Sequence, residues 1–191
     1  MNKYTLVTAL FVLLLNSCTS LEESDEIIKK DIVVQVDENK KFIKYLESDW
    51  EETLINSPLF ASYTGDKRFN DKLNPITIDQ FNKDRNLDLE SLIKLNDINP
   101  DKLSEDNKLN YNLKKFDIES DLNLSQFPIY YLRLNQRGGI QSFYETGNRL
   151  VYQSKKDYYD WLSRLEQFSE NILTFLDINK QGLKMGIHNQ N

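Results

Sequence analysis

The side chains able to act as nucleophiles, bases or metal ligands are unevenly supplied: one cysteine, Cys18, and one histidine, His188, against 30 Asp and Glu. A Ser or Thr nucleophile needs an adjacent base, and His188 sits in a polar tail, HNQN, which argues against a Ser-His-Asp triad. One imidazole does not supply the His pairs or triads of most catalytic zinc sites, and no HExxH spacing occurs in the chain. Catalytic and metal assignments are therefore made to no residue. A single cysteine cannot close an intramolecular disulfide. The carboxylates could form glycosidase-like dyads, but their abundance does not separate a dyad from a solvated helix face. A net charge of −6 gives no basic footprint for a phosphate backbone, so nucleic acid is not an expected partner.

Cys18 has a more specific context. Lys3 precedes an apolar run from Leu6 to Leu15, which is the pattern of a secretory signal. The run is well short of the ~20 residues that cross a bilayer core. Leu15, Asn16, Ser17 and Cys18 resemble a bacterial lipobox, with an aliphatic residue at −3, a small one at −1 and cysteine at +1. That resemblance implies a signal peptide over 1–17 and acylation of Cys18. Membrane lipid is then a partner and the bacterial cell envelope the destination, with outer membrane or cell surface both open. Two or three acyl chains anchor durably because each buried CH₂ contributes ~0.8 kcal/mol. An ordinary cleaved signal with an incidental thiol is the alternative. Residues 18–37, including the acidic EESDE run from Glu22 to Glu26, read as a flexible tether.

The remaining chain, 38–187, is read as helical, with 188–191 a polar tail. Phe42, Leu46, Trp50 and Leu54 recur every four residues with Ile43 beside them, placing one apolar stripe against a core. Ser57 and Pro58 form an N-cap and N1 pair for a short helix that stops at Gly65. Residues 65–75 form a polar loop. Thr77 with Gln80 resembles a capping box for a helix to about Asn96 carrying Phe81, Leu89, Leu92 and Ile93. After Asn99 and Pro100, Ser104 starts a helix with Leu109, Leu113, Phe116 and Ser120 on one face. The segment around 126–140 is expected to be irregular or extended, from Pro128, Ile129, Tyr130, Tyr131, Gly138 and Gly139. Ser154 and Asp157 then cap a long helix in which Leu162, Leu165, Ser169, Ile172 and Leu176 alternate by three and four, a helix seam. Gly186 is the expected terminator. The fold class is mainly all-α.

Two segments are more particular than a generic bundle. One runs from Ser57 to Asp71; the other is Leu134, Asn135, Gln136, Arg137, Gly138, Gly139 and Ile140. Gly65 permits chain reversal, Asp66 can accept from free backbone donors, and Arg68 can pair with a carboxylate. The glycine pair allows close approach of a backbone or a ligand. A purely structural helix-loop lock and tight turn account for the same residues.

These segments resemble the N-terminal part of bacterial domain-of-unknown-function family 885. The pattern S-P-x-x-A-x-x-x-G-D-x-R-x-N-D, after an aromatic and acidic helix, is matched by Trp50, Ser57, Pro58, Ala61, Gly65, Asp66, Arg68, Asn70 and Asp71. Leu103, Ser104, Asn107, Leu109, Asn110 and Tyr111 match a second element. Leu134, Asn135, Gln136, Gly138 and Gly139 match a third, and Tyr158, Trp161, Leu162, Arg164 and Leu165 a fourth. The resemblance implies a helix-rich zinc-metallopeptidase-like fold whose metal site lies downstream of the matched part. Zinc is thus expected only of the full-length family, and this chain is expected to be an incomplete, inactive N-terminal segment. The alternatives are a self-sufficient envelope lipoprotein that binds a ligand near Arg137 to Gly139, or one piece of a peptidase completed by a separate downstream catalytic segment.

Overall fold

The computed structural model describes residues 29–30, 33, 37–132 and 139–187. Cys18, Asn135, Gln136, Gly138 and His188, the signal segment, and most of the expected tether lie outside the described residues. Lys29, Lys30 and Val33 are helical and exposed. No strand occurs among the described residues, as expected of an all-α chain.

Helix α1 spans 37–56, α2 Pro58–Tyr63, α3 Ile78–Asn96, α4 Glu105–Leu124, α5 Tyr144–Arg149 and α6 Lys155–Lys184. Local chemistry sets the boundaries. The Thr77 hydroxyl accepts from the Gln80 amide and the Ser104 hydroxyl from that of Asn107, each satisfying a donor that the first helical turn leaves free. Ser154 and Asp157 form a full capping box on α6. Ser57 occupies the N-cap of α2, with Pro58 at N1, but its hydroxyl makes no capping bond. At the other end of α2, Gly65 has φ +92, which lets the Asp66 amide turn back to the Ala61 carbonyl at 2.8 Å. Helix α6 closes the same way, the Ile187 amide reaching the Gly182 carbonyl at 2.8 Å after Gly186.

Helices α1, α3 and α4 enclose the main core: Phe42, Tyr45, Leu95, Ile98, Leu103, Tyr111 and Ile118, with Leu46, Leu92 and Leu122 at its margin. Helices α3 and α4 form a hairpin about the turn at 97–104. The buried faces differ from several expectations. Phe42 and Leu54 are buried, but Trp50 and Ile43 are exposed, and Tyr45 takes the inner position because its hydroxyl reaches Ser91 Oγ at 2.8 Å. On α3 the buried positions are Ser91 and Leu95, whereas Ile93 is exposed. Leu109, Leu113 and Phe116 do share a face of α4, and that face points outward; Tyr111 and Ile118 point in. Ile129–Tyr131 form a 3₁₀ turn after Pro128, with the Tyr130 ring tilted against those of Phe81 and Tyr131, in the segment expected to be irregular or extended.

Candidate functional site

Helix α6 holds the loop that follows α2 by a row of polar side chains. Ser163, Arg164, Gln167 and Asn171 lie within about two turns of one another along one side of the helix. Ser163 Oγ and Gln167 Nε2 donate to the Asp71 carbonyl at 3.1 and 2.7 Å. Gln167 Oε1 accepts from the Leu73 amide at 2.9 Å. Asn171 accepts from the Ile76 amide through Oδ1 and donates to the Asn74 carbonyl through Nδ2, both at 2.9 Å. The loop backbone between 71 and 76 therefore has no helix or strand partner and is satisfied by amide side chains instead.

Arg164 is the centre of this arrangement and is fully buried, at 0% exposure. Its Nε donates to the Lys72 carbonyl at 2.8 Å. Nη2 reaches the Pro58 carbonyl at 3.0 Å, Ser62 Oγ at 2.7 Å and the Phe69 carbonyl at 3.0 Å. Ser62 passes its own proton to Asn70 Oδ1 at 2.6 Å. Nη1 is buried with no hydrogen-bond partner among the described residues. No carboxylate ion-pairs with this guanidinium among the described residues, and burial pushes its pKa down from the ordinary arginine value. The planar fork is suited to the task because five fixed donors can serve several carbonyls at once.

The charged residues of the same loop contact one another. Arg68 donates to both Glu51 oxygens at 2.6 and 2.9 Å and to Asp66, whose carboxylate also accepts from the Arg68 amide at 3.0 Å. Hydrogen bonds from Arg68 hold both carboxyls below their ordinary values. Lys67 reaches the buried Asp157 at 3.0 Å. Asp157 is held well below the usual carboxylate range, first by the Gln153 amide and then by Lys67 and Ser154. Asp157 thus caps α6 and ties it to the loop.

The lock frames a cleft of about 610 Å³. One wall is Ser57 to Phe60 with Leu73, Asn74 and Ile76; Gly139, Ile140 and Phe143 face it; Phe168, Asn171 and Phe175 of α6 form the floor. Phe143 stacks on Phe168 with ring centroids 3.9 Å apart, and on Trp161 at 5.5 Å. Gly139 has φ +130 and ψ −165, a conformation kept for glycine, at the point where the second motif enters the wall. Ser57, Pro58 and Gly139 therefore meet at one cleft although they are far apart in the chain. Trp50 lies outside it, edge-on to Phe60 at 5.6 Å. Gly65, Asp66, Arg68, Asn70 and Asp71 do not line it.

No protein-family model, curated protein or solved structure matches the chain.

A second concavity, between α1, α3 and α4, is acidic, lined by Asp49, Glu52, Asp84, Asp88 and Asp121. The Lys114 ammonium crosses it 2.6 Å from Asp49, and no group of His, Cys, Asp and Glu among the described residues is arranged to hold a metal ion. No described helix is long and apolar enough to cross a membrane.

The residues that sequence reading missed are Ser163, Gln167 and Asn171, and the role of Arg164. Their spacing repeats that of the apolar seam on another face of α6, which was the available signal.

Proposed function

We propose that the chain is an exported lipoprotein, anchored through acylated Cys18, whose helical region is the N-terminal part of a family-885-type fold and serves as a non-catalytic scaffold. The observation that carries this reading is the engagement of the motif's polar groups. Arg68 is held by Glu51 and Asp66, Arg164 by backbone carbonyls and Ser62, and Lys67 by Asp157, while the cleft beside them is lined mainly by hydrocarbon and rings. Groups so engaged build a wall; bond breaking needs a base or nucleophile with access to substrate. The test is a pair of measurements on the full chain. Radiolabelled palmitate is incorporated and is lost in Cys18→Ala. Purified protein supplied with zinc hydrolyses no peptide substrate; saturable zinc-dependent turnover, lost on mutating the chain's own residues, would overturn the reading.

The cleft favours one further role, binding of an apolar ligand. Its size falls within the range of small-molecule pockets, roughly 300–1,000 Å³. A small apolar fluorophore should bind at one saturable site and lose about tenfold in affinity in Ile140→Trp, which fills the cleft. Unchanged binding in that variant would move the site elsewhere.

A further inference from the structure

Helix α6 has apolar residues on two faces. Asp157, Asp160, Arg164 and Asn171 are buried against the rest of the chain together with Phe175 and Ile178, while a second, apolar seam faces outward. Leu165 and Ile172 are 39% and 36% exposed, and Leu176 and Leu183 47% and 61%. The seam runs 162, 165, 169, 172, 176, 179, 183, an unbroken alternation of threes and fours, which is the heptad a/d pattern.

We propose that this seam pairs with the same seam of a second copy, the two α6 helices running antiparallel about a two-fold axis beside Leu173. In an antiparallel pair each a residue faces a d residue of the other helix, so choosing one layer fixes the rest. With Leu176 opposite Ile172 of the second copy, Leu183 faces Leu165 and Ser169 faces Asn179, each layer occurring twice by symmetry. Apolar residues meet apolar ones throughout the span from 165 to 183, about 27 Å at 1.5 Å per residue. Its two polar positions meet each other. Asn179 Nδ2 already donates to the Phe175 carbonyl at 2.8 Å, which leaves Oδ1 to accept from the Ser169 hydroxyl.

Charge selects the same register. The flanking e positions are Glu166, Leu173 and Lys180, all exposed. In the centred pairing Glu166 lies beside Lys180 of the second copy, Lys180 beside Glu166, and Leu173 beside itself. The contact Lys180 makes within its own helix, to Asp177 at 3.4 Å, is between two exposed groups and competes little. Sliding by one heptad in either direction sets Asn179 against Leu162 or Leu176 and loses both ion pairs. A parallel pairing places Glu166 and Lys180 beside Trp161 and Phe175. Only the centred antiparallel register matches every layer and both flanks.

The test uses the full chain with Cys18→Ser in sedimentation velocity, with circular dichroism to confirm unchanged helix content. The protein should sediment as a dimer at tens of micromolar. Glu166→Lys and Lys180→Glu each place like charges in both flanking pairs and should raise the dissociation constant about tenfold. The double variant reverses both pairs and should restore wild-type dimerisation. Under mild oxidation Leu173→Cys should give a disulfide-linked dimer, and Leu113→Cys, on the exposed face of α4, should not. A monomer throughout the concentration range, single variants that dimerise like wild type, or a double variant that stays monomeric would overturn the pairing. So would a different chain, such as a downstream catalytic segment, found seated on the seam.

Discussion

Arg164 Nη2 donates to the carbonyl oxygen of Phe69 at 3.0 Å, tying the middle of α6 to a turn 95 residues earlier in the chain. The same guanidinium serves Pro58 and Lys72, so one side chain fixes the start of α2, the 3₁₀ turn after it and the extended loop beyond. The wall of the apolar cleft is in this sense a product of α6. A buried arginine carries a large desolvation cost, and here it is offset by carbonyl dipoles, with no carboxylate ion pair among the described residues.

Arg164→Met keeps much of the volume but removes a donor from three carbonyls; Pro58 keeps Ser62 Oγ at 3.0 Å and Phe69 keeps the Lys72 amide at 3.0 Å, so the Lys72 carbonyl is the one left without a partner. A buried acceptor left unsatisfied costs roughly 1–3 kcal/mol, so the loss should be about 2 kcal/mol in urea unfolding. Arg164→Lys retains the charge but not the fork, and should recover only part of that loss. Arg68→Ala is the control: Arg68 and Glu51 are exposed and Asp66 is part-buried, and its unfolding midpoint should fall close to the scatter of ordinary surface substitutions.

Much of this architecture was legible from sequence because it is decided locally. Thr77, Ser104 and the Ser154–Asp157 box each bond to an amide within three residues, so their position alone predicts the helix start. Which face of a helix is buried was legible only in part: Phe42 and Leu54 of α1 are buried as their stripe predicts, whereas α4 and α6 differ. The heptad seam of α6 and the Leu109, Leu113, Phe116 row of α4 have the periodicity of a core face, yet the core lies opposite both. In α6 the inner face mixes Arg164 and Asn171 with Phe175 and Ile178, because part of it meets loop backbone, whose amides and carbonyls demand partners, and periodicity carries no record of what a face meets. Ile129 to Tyr131 have strand propensity, but they follow Pro128 into a tight turn, where the Tyr130 ring packs at a tilt against Phe81.

Gly147 approaches Trp161 so closely that a Cβ would lie 2.8 Å from Cζ2. Alanine is favoured over glycine in a helix by about 1 kcal/mol, but the indole is stacked on Phe143 and cannot retreat freely. Gly147→Ala should therefore be destabilising by about 1 kcal/mol net, with a change in tryptophan fluorescence. A stabilised variant would show that the ring has room to move.

Asp88 links stability to pH. Burial, followed by repulsion from Asp121 and Asp84, pushes its carboxyl up to about 6. The folded chain then holds this proton more tightly than the unfolded chain, so the stabilising contribution is complete below about pH 4 and is lost as pH rises through about 6. Asp88→Asn removes that loss. Because the group is only partly buried and solvent screens it, the variant should exceed wild type by only about 1 kcal/mol near pH 7.5 and match it near pH 3.5. Equal stabilities at both pH values would place the carboxyl in an ordinary environment.

The most direct test of the lock is native-state hydrogen exchange at the amides of Leu73 and Ile76. Neither belongs to a helix, and they donate to Gln167 Oε1 and Asn171 Oδ1 respectively. Both should exchange as slowly as the buried amides of α6, and each should lose its protection in Gln167→Ala or Asn171→Ala while α6 stays protected. Exchange of both amides in the wild-type chain at the rate of an unstructured loop would contradict the account.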